Sequence, residues 1–279
     1  MDEDHPMMYR QTEVRLWKGG TEIEKPDFLV TEEPLEIRFN DLSAAVTMRT
    51  PGQDEALAVG FLATESILRS PADLYDVLRC GDPDELNVGN VVNVHVDPER
   101  VPRDQNSRQR YANSSCGLCG RATVDYAIRT LPPLDSDLVV NRSLIAQLPD
   151  KLRAAQPVFS RTGGLHAAGL FSREGELLFV AEDIGRHNTV DKVVGRALMS
   201  GRWPLKDTLL MVSGRGGFEI VQKSLAVRIP VVCSVSAPST LAVDLAREAG
   251  MILVGFLRGE SMNVYAGADR IVSQRKELM

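Results

Sequence analysis

Thr208-Leu-Leu-Met-Val212, Ser213-Gly-Arg-Gly-Gly217, Phe218 to Arg228 and Val231-Val-Cys-Ser-Val235 follow one another in that order. An apolar run, a glycine loop, an amphipathic stretch and a second apolar run read as strand, turn, helix and strand. The pattern continues toward the C-terminus. Ser236-Ala-Pro-Ser-Thr240 leads into a helix over Thr240 to Ala249, stopped by Gly250, and then a strand over Met251 to Phe256. It also continues toward the N-terminus. Gly164 to Phe171 and Glu176 to Ala181 are strands paired around Ser172-Arg-Glu-Gly175, and Asn188 to Met199 is helical. Strands alternating with helices of about ten residues imply βαβ units and a sheet covered on both faces. The fold class is α/β.

The first half reads differently. Asp27-Phe-Leu-Val30 and Pro34-Leu-Glu-Ile-Arg-Phe39 are strand-like, and Asn40-Asp41 turns the latter into Ala44 to Thr50. Alternation around an Asn-Asp turn predicts a hairpin with one covered face. Pro51-Gly-Gln-Asp-Glu55 opens a helix to about Leu68, with acidic residues in its first turn and apolar Leu57, Phe61, Leu62 and Ile67. Asn90 to Val96 is a further strand. Pro98 to Ser115 lacks any hydrophobic period and reads as a mobile loop. Helices are expected over Ala122 to Thr130 and Ser143 to Ala155, separated by the break Leu131-Pro-Pro133. The domain reading is a polar N-terminal tail over 1–25, an N-terminal α+β subdomain over 26–155 carrying a loop at 98–121, and an α/β domain over 156–279.

With 279 residues, 43% of them hydrophobic, the chain can bury a sizeable core. Its 32 basic and 38 acidic residues leave a net charge of −6, which argues against broad nucleic-acid or anionic-membrane binding. The acidic start Met1-Asp-Glu-Asp-His-Pro6 carries no signal-peptide pattern, and apolar runs such as Met251 to Leu257 are too short to span a bilayer. A cytoplasmic location is expected.

Four cysteines in so long a chain do not form a disulfide scaffold. Cys233 lies inside an apolar run and reads as a small buried hydrophobe. Cys116 and Cys119 form a CxxC in Asn113-Ser-Ser-Cys-Gly-Leu-Cys-Gly-Arg-Ala122, with glycine after each cysteine. Placed before a helix and beside Arg121, both thiols would have lowered pKa values. Such a thiolate could attack a sulfur donor and hold the terminal sulfur for transfer. The pattern alone leaves three readings open: sulfur or redox chemistry, a metal site, and a structural pair. Zinc would need two more ligands, with His166 or His187 as candidates.

The second half gathers polar groups at strand ends, where open α/β sheets bind their ligands. Thr162-Gly-Gly-Leu-His166-Ala-Ala168 carries a histidine that is either a core group bonded to backbone or a catalytic one. Glu182-Asp-Ile-Gly-Arg-His187-Asn188 is denser in polar groups than a capping network needs. In Ser213-Gly-Arg215-Gly-Gly the backbone N–H groups can converge on a phosphate at a helix start, with Arg215 closing on the anion. Ser236 to Thr240 repeats the design, so two loops could flank one nucleotide. Arg258 stands in Phe256-Leu-Arg-Gly-Glu-Ser261, read either as a phosphate contact or as a surface turn.

Taken together, SSCGLCG, TGGLHAAGLF, EDIGRHNTVDKVVG, SGRGGFEIVQKS, VSAPSTLAVDLA and LVGFLRGESMNVYAG resemble the FdhD family, sulfurtransferases required for formate dehydrogenase activity. The resemblance runs from about Glu32 to Gly267. It implies a cytidine-deaminase-like α/β/α domain with a mixed sheet, and a homodimer. It implies that a cysteine desulfurase supplies persulfide sulfur to Cys116, with Cys119 as helper. The sulfur would pass to a bound client, the bis-molybdopterin guanine dinucleotide form of the molybdenum cofactor, before its insertion into formate dehydrogenase. The cofactor-contacting stretch falls on Phe256, Leu257, Arg258, Gly259, Glu260 and Ser261. Ser213, Gly214, Arg215 and His187 join it from the residue reading. Gly259 and Ser261 stand where relatives carry a proline and a second basic residue. No resident metal, nucleic acid or membrane is expected. A non-catalytic cofactor-binding chaperone is the alternative, and a zinc-dependent hydrolase is a further rival. Deamination lacks its sequence requirements: no proline precedes Cys116 and no His-x-Glu occurs.

Overall fold

A computed structural model describes residues 8–80, 89–97, 127, 128 and 130–273. The Cys116/Cys119 pair, the loop expected over 98–121 and most of the helix expected over 122–130 lie outside the described residues.

The N-terminal half builds a four-stranded sheet in the order β4-β3-β6-β5, from β3 (Glu33–Phe39), β4 (Leu42–Arg49), β5 (Leu74–Cys80) and β6 (Val91–Val96). The β3–β4 hairpin forms as the sequence predicts, with both turn residues left-handed: Asn40 at φ 45° and Asp41 at φ 65°. Short polar side chains tolerate that conformation, and it matches the twist of the flanking strands. Leu35, Ile37, Val92, Val94 and Val96 point inward from β3 and β6 and are fully or almost fully buried. They pack on α1 (Asp54–Thr64).

Two further strands, β1 (Tyr9–Lys18) and β2 (Thr21–Val30), pair antiparallel as a separate ribbon. Residues 1–25, expected as a tail, therefore contain a full strand and the start of a second. The ribbon's outer part is exposed on both faces, so its sequence never needed the apolar alternation that marks a half-buried strand.

The C-terminal half forms the α/β unit. Its six strands run in the order β13-β12-β11-β10-β8-β9. These are β8 (His166–Ser172), β9 (Leu177–Asp183), β10 (Thr208–Val212), β11 (Val231–Ser234), β12 (Ile252–Arg258) and β13 (Ser261–Ala266). β10, β11 and β12 are parallel, while β8, β9 and β13 run antiparallel to their neighbours, so the sheet is mixed. Between the strands come α4 (Arg186–Met199), α5 (Phe218–Ala226) and α6 (Thr240–Glu248).

Alternation along β10 sorts the two faces. Leu210 and Val212 join the core shared with α1, α4, α5 and α6, whereas Leu209 and Met211 join a second core. That second core includes Ile145, Leu148 and Leu152 of α2 (Arg142–Ala154). Each of these three side chains is at most 1% exposed, a burial that stabilises by about 1.5–3 kcal/mol per residue. Sequence order placed α2 with the first subdomain. It instead covers the back of the six-stranded sheet, followed by the short α3 (Pro157–Thr162). Its apolar stripe predicts a helix but does not say which sheet that helix covers. Just before α2, the two-residue β7 (Val140–Asn141) pairs in parallel with β14 (Ile271–Val272) near the described C-terminal end. No helix among the described residues is long and apolar enough to cross a membrane.

The two halves join through α1 and α4. A β-carbon on Gly195 would lie 1.9 Å from the Ala56 carbonyl oxygen, so the helices cross nearly backbone to backbone. Below the crossing, buried Lys223 of α5 donates to both Asp191 oxygens at 3.0 Å and to the Thr64 hydroxyl at 2.9 Å. One polar network thus ties α1, α4 and α5 together. Despite burial, the facing carboxylates raise the Lys223 pKa above its ordinary value. Cys233 is fully buried in the second core, as its sequence context predicts, and burial pushes its thiol up to about 12.

Candidate functional site

The parallel strands β10, β11 and β12 all end on one side of the sheet, beside the start of antiparallel β8. Chain reversals there bring Ser213, Val235, Leu257, Arg258, Gly259 and His166 to the wall of one cavity of about 630 Å³. Its opposite wall is α2 and α3, with Asp150, Arg153, Gln156 and Phe159, and Gly163 to Leu165 complete the rim. The volume lies within the range of small-molecule sites, and the location follows the rule for open α/β sheets.

Each wall has a local cause. Ser213 continues β10 by one residue: its N–H donates to the Ala167 carbonyl and its hydroxyl accepts from the Ala167 N–H, both at 2.9 Å. Gly214 then packs against His166, where a β-carbon would come 3.3 Å from Nδ1. Gly216 has no room for a side chain without pressing on the Ser234 hydroxyl, 3.0 Å from a β-carbon built there. Gly217 starts α5 with no side-chain cap, so the first N–H groups of that helix are not taken up by a capping side chain. Arg215 of this loop is exposed and does not line the cavity.

At the end of β12 the pairing with β13 slips between Gly255 and Arg258. The bulge sets Phe256 at φ 50°, a rare conformation for an aromatic residue, and leaves the residue 43% exposed. The next side chain, Leu257, turns fully into the cavity wall. Of the six residues singled out in this stretch, Leu257, Arg258 and Gly259 face the cavity. Phe256 and Ser261 stay outside it, and Glu260 pairs with Arg142 at 3.3 Å.

The polar run over 182–188 divides. Glu182 accepts the Val158 and Phe159 N–H groups at 3.0 and 2.7 Å, capping α3 from a distance. Asp183 is fully buried and accepts from Lys192 at 2.6 Å, from the Gly185 N–H at 2.7 Å and from Asn188 at 2.9 Å. Asn188 also donates to the Met48 carbonyl at 2.8 Å, bolting the corner to β4. These three groups hold structure together. Arg186 and His187 remain near the surface, with His187 Nε2 2.5 Å from the Glu219 carboxylate at the start of α5. That hydrogen bond, the largest cause, holds the Glu219 carboxyl below the usual carboxylate range. His187 does not line the cavity, whereas His166 does. Burial lowers the His166 pKa first, and the charges of Arg186 and His187 lower it further.

Arg153, Gln156 and Phe159 were not anticipated as site residues. Their position depends on where α2 docks, and the sequence carries no signal for that. The Arg153 guanidinium lies 4.3 Å from the centre of the Phe159 ring, a cation–π pair on the cavity's outer wall.

The comparisons with known proteins agree with one another. A sulfur carrier protein FdhD from Streptomyces coelicolor is 54% identical over 269 residues, covering 94% of this chain and 95% of its own. The protein of that name from Nocardia farcinica is 48% identical over 268 residues, covering 95% of both chains. The crystal structure of a formate dehydrogenase accessory protein from Desulfotalea psychrophila superposes with a TM-score of 0.74 at 24% identity. That match spans 95% of this chain and all of the other, and it shows a shared fold. The FdhD/NarQ family profile matches residues 30–272, and the chain belongs to that family.

Proposed function

We propose that this chain is a cytoplasmic sulfurtransferase that carries sulfur as a persulfide on Cys116, with Cys119 as helper. A cysteine desulfurase supplies the sulfur. The acceptor is the bis-molybdopterin guanine dinucleotide form of the molybdenum cofactor, before that cofactor enters formate dehydrogenase. The protein acts as a homodimer, and its six-stranded unit is cytidine-deaminase-like.

One observation carries the reading: three parallel strands end on a single cavity with Arg153 and Arg258 on its walls and the glycine loop at its edge. A nucleotide-bearing client fits such a site on three counts. The volume of about 630 Å³ holds a nucleotide-sized group, the two guanidiniums suit its phosphates, and the apolar Leu152, Phe159, Val235 and Leu257 suit a ring. Membership of a family whose curated relatives are named sulfur carriers supports the chemistry.

The transfer balances as follows. The Cys119 thiolate attacks the Cys116 sulfur of the persulfide, forming a Cys116–Cys119 disulfide and breaking the bond to the outer sulfur. That sulfur leaves as hydrosulfide, reduced by the two electrons that the thiols lose. A dithiol reductant then resets the pair.

The test is to incubate the full chain with a desulfurase and cysteine, then map the mass of one added sulfur atom by peptide mass spectrometry. Addition at Cys116 or Cys119 is expected. Addition only at Cys80 or Cys233 would overturn the site, and Cys116→Ala and Cys119→Ala variants that still mature formate dehydrogenase would overturn the carrier role.

A further inference from the structure

We infer that the buried carboxamide of Gln156 is the group by which this cavity selects the ring of its ligand, pairing with the adjacent oxo and N–H groups that guanine and the pterins share. Gln156 is then the specificity-determining residue of the client site proposed above, and its role rests on that reading of the cavity.

Gln156 is only 4% exposed and lines the cavity between the end of α2 and the start of α3. Its main chain is engaged. The N–H donates to the Arg153 carbonyl at 3.3 Å, and the carbonyl accepts from the Ser160 N–H at 3.1 Å and the Ser160 hydroxyl at 2.8 Å. The side-chain amide, in contrast, has no hydrogen-bond partner among the described residues. Buried amides almost always find one.

The structural duty open to a residue in this place is performed by another. Gln156 precedes the first turn of α3, where a side chain ordinarily accepts from the unpaired N–H groups. Pro157 has no N–H to offer. Those of Val158 and Phe159 donate to the Glu182 carboxylate at 3.0 and 2.7 Å. Glu182 reaches this helix from β9, so the cap is filled and the Gln156 amide is left for something in the cavity.

That amide offers an acceptor, Oε1, beside two N–H donors on Nε2. Guanine and pterins each present a ring oxo group beside a ring N–H, next to an amino group. Nε2 donates to the ring oxygen while the ring N–H donates to Oε1, giving two parallel hydrogen bonds. Apolar Leu152, Phe159 and Leu257 on the same walls suit the flat faces of such a ring. The proposed client carries both rings, so one pairing chemistry serves either.

The experiment is calorimetry on the full-length chain, wild type and Gln156→Met, with three probes. These are guanosine diphosphate, the diphosphate of unsubstituted purine riboside, and 6-hydroxymethylpterin. Unsubstituted purine keeps the phosphates and the ring but lacks the oxo, amino and N–H groups. Adenine is not the control, because a carboxamide that turns over also matches its edge. Wild type should bind guanosine diphosphate about 10- to 100-fold more tightly than the purine analogue, the worth of two hydrogen bonds. Gln156→Met should bind the two alike and melt no lower than wild type, since it removes a buried polar group that has no partner. Gln156→Asn, which draws the same amide back by one methylene, should lose the preference too and serves if the methionine variant does not fold. Binding of 6-hydroxymethylpterin that depends on Gln156 would assign the pterin ring, and such dependence for guanosine diphosphate alone would assign guanine. A wild type with no preference, or variants that keep it, would overturn the role of Gln156 and leave the client reading standing. A wild type that binds neither guanosine diphosphate nor the pterin would overturn both.

Discussion

The backbone of Gly60 on α1 meets that of Asp191 on α4 so closely that a β-carbon at position 60 would lie 1.7 Å from the Asp191 carbonyl oxygen. Gly195 has the reciprocal problem with Ala56. Neither partner is a side chain that can swing away, so relief requires the helices to separate. Overpacking typically costs about 1–3 kcal/mol, and here it opposes two helix backbones. Gly60→Ala and Gly195→Ala should each lose about 3 kcal/mol or more in urea unfolding.

The buried Lys223–Asp191 pair sits below that crossing. Removing one partner strands a charge in the core, which costs about 3–5 kcal/mol. Lys223→Met should therefore be strongly destabilised, whereas the double variant Lys223→Met/Asp191→Leu should recover most of the loss. A double-mutant cycle on thermal or denaturant unfolding measures the coupling directly.

Two titrations should shape stability on the acid side. Glu219 has a folded pKa below its ordinary 4.5, so its stabilising contribution is present above 4.5 and lost as pH falls through the lowered value. The advantage of wild type over Glu219→Gln should shrink across that window. His166 is likewise lowered from 6.5, so the unfolded chain takes up its proton first and stability falls as pH drops below 6.5. His166→Gln should flatten that part of the profile, as read from melting temperature against pH.

Arg258 presents the exposed guanidinium on the β12–β13 side of the cavity. If it contacts a phosphate, losing a charge-assisted bond of about 1.5–3 kcal/mol weakens binding roughly tenfold or more. Calorimetry with guanosine diphosphate should show that drop for Arg258→Ala. Glu260→Ala, whose carboxylate pairs with Arg142 outside the cavity, should bind as wild type does.

The strand–loop–helix succession from Thr208 to Phe256 was legible because local pattern and final environment agree there: short apolar strands buried on both faces, amphipathic helices between them. β1 escaped because Tyr9 to Lys18 alternates few apolar residues and is exposed over most of its length. β13 also escaped, because Ser261-Met-Asn-Val-Tyr-Ala266 is a half-exposed edge strand with little apolar text to mark it. The glycine loop and Arg258 could be named from sequence, since strand-end loops of a parallel sheet share one rim. What remained hidden depends on distant partners. Glu182 caps a helix that begins 25 residues earlier, and Asp183 accepts from the Thr50 N–H across 133 positions. Their acidity suggested chemistry, but their surroundings assign them to architecture.

Cys233 has a consequence for how the protein can be handled. Sealed in the sheet and protonated at any ordinary pH, it is invisible to alkylating reagents until the structure opens. Native labelling can therefore count at most three of the four sulfhydryls, and the appearance of the fourth is a built-in gauge of global opening. The same seclusion keeps one sulfur out of every exchange reaction that this molecule undergoes while intact.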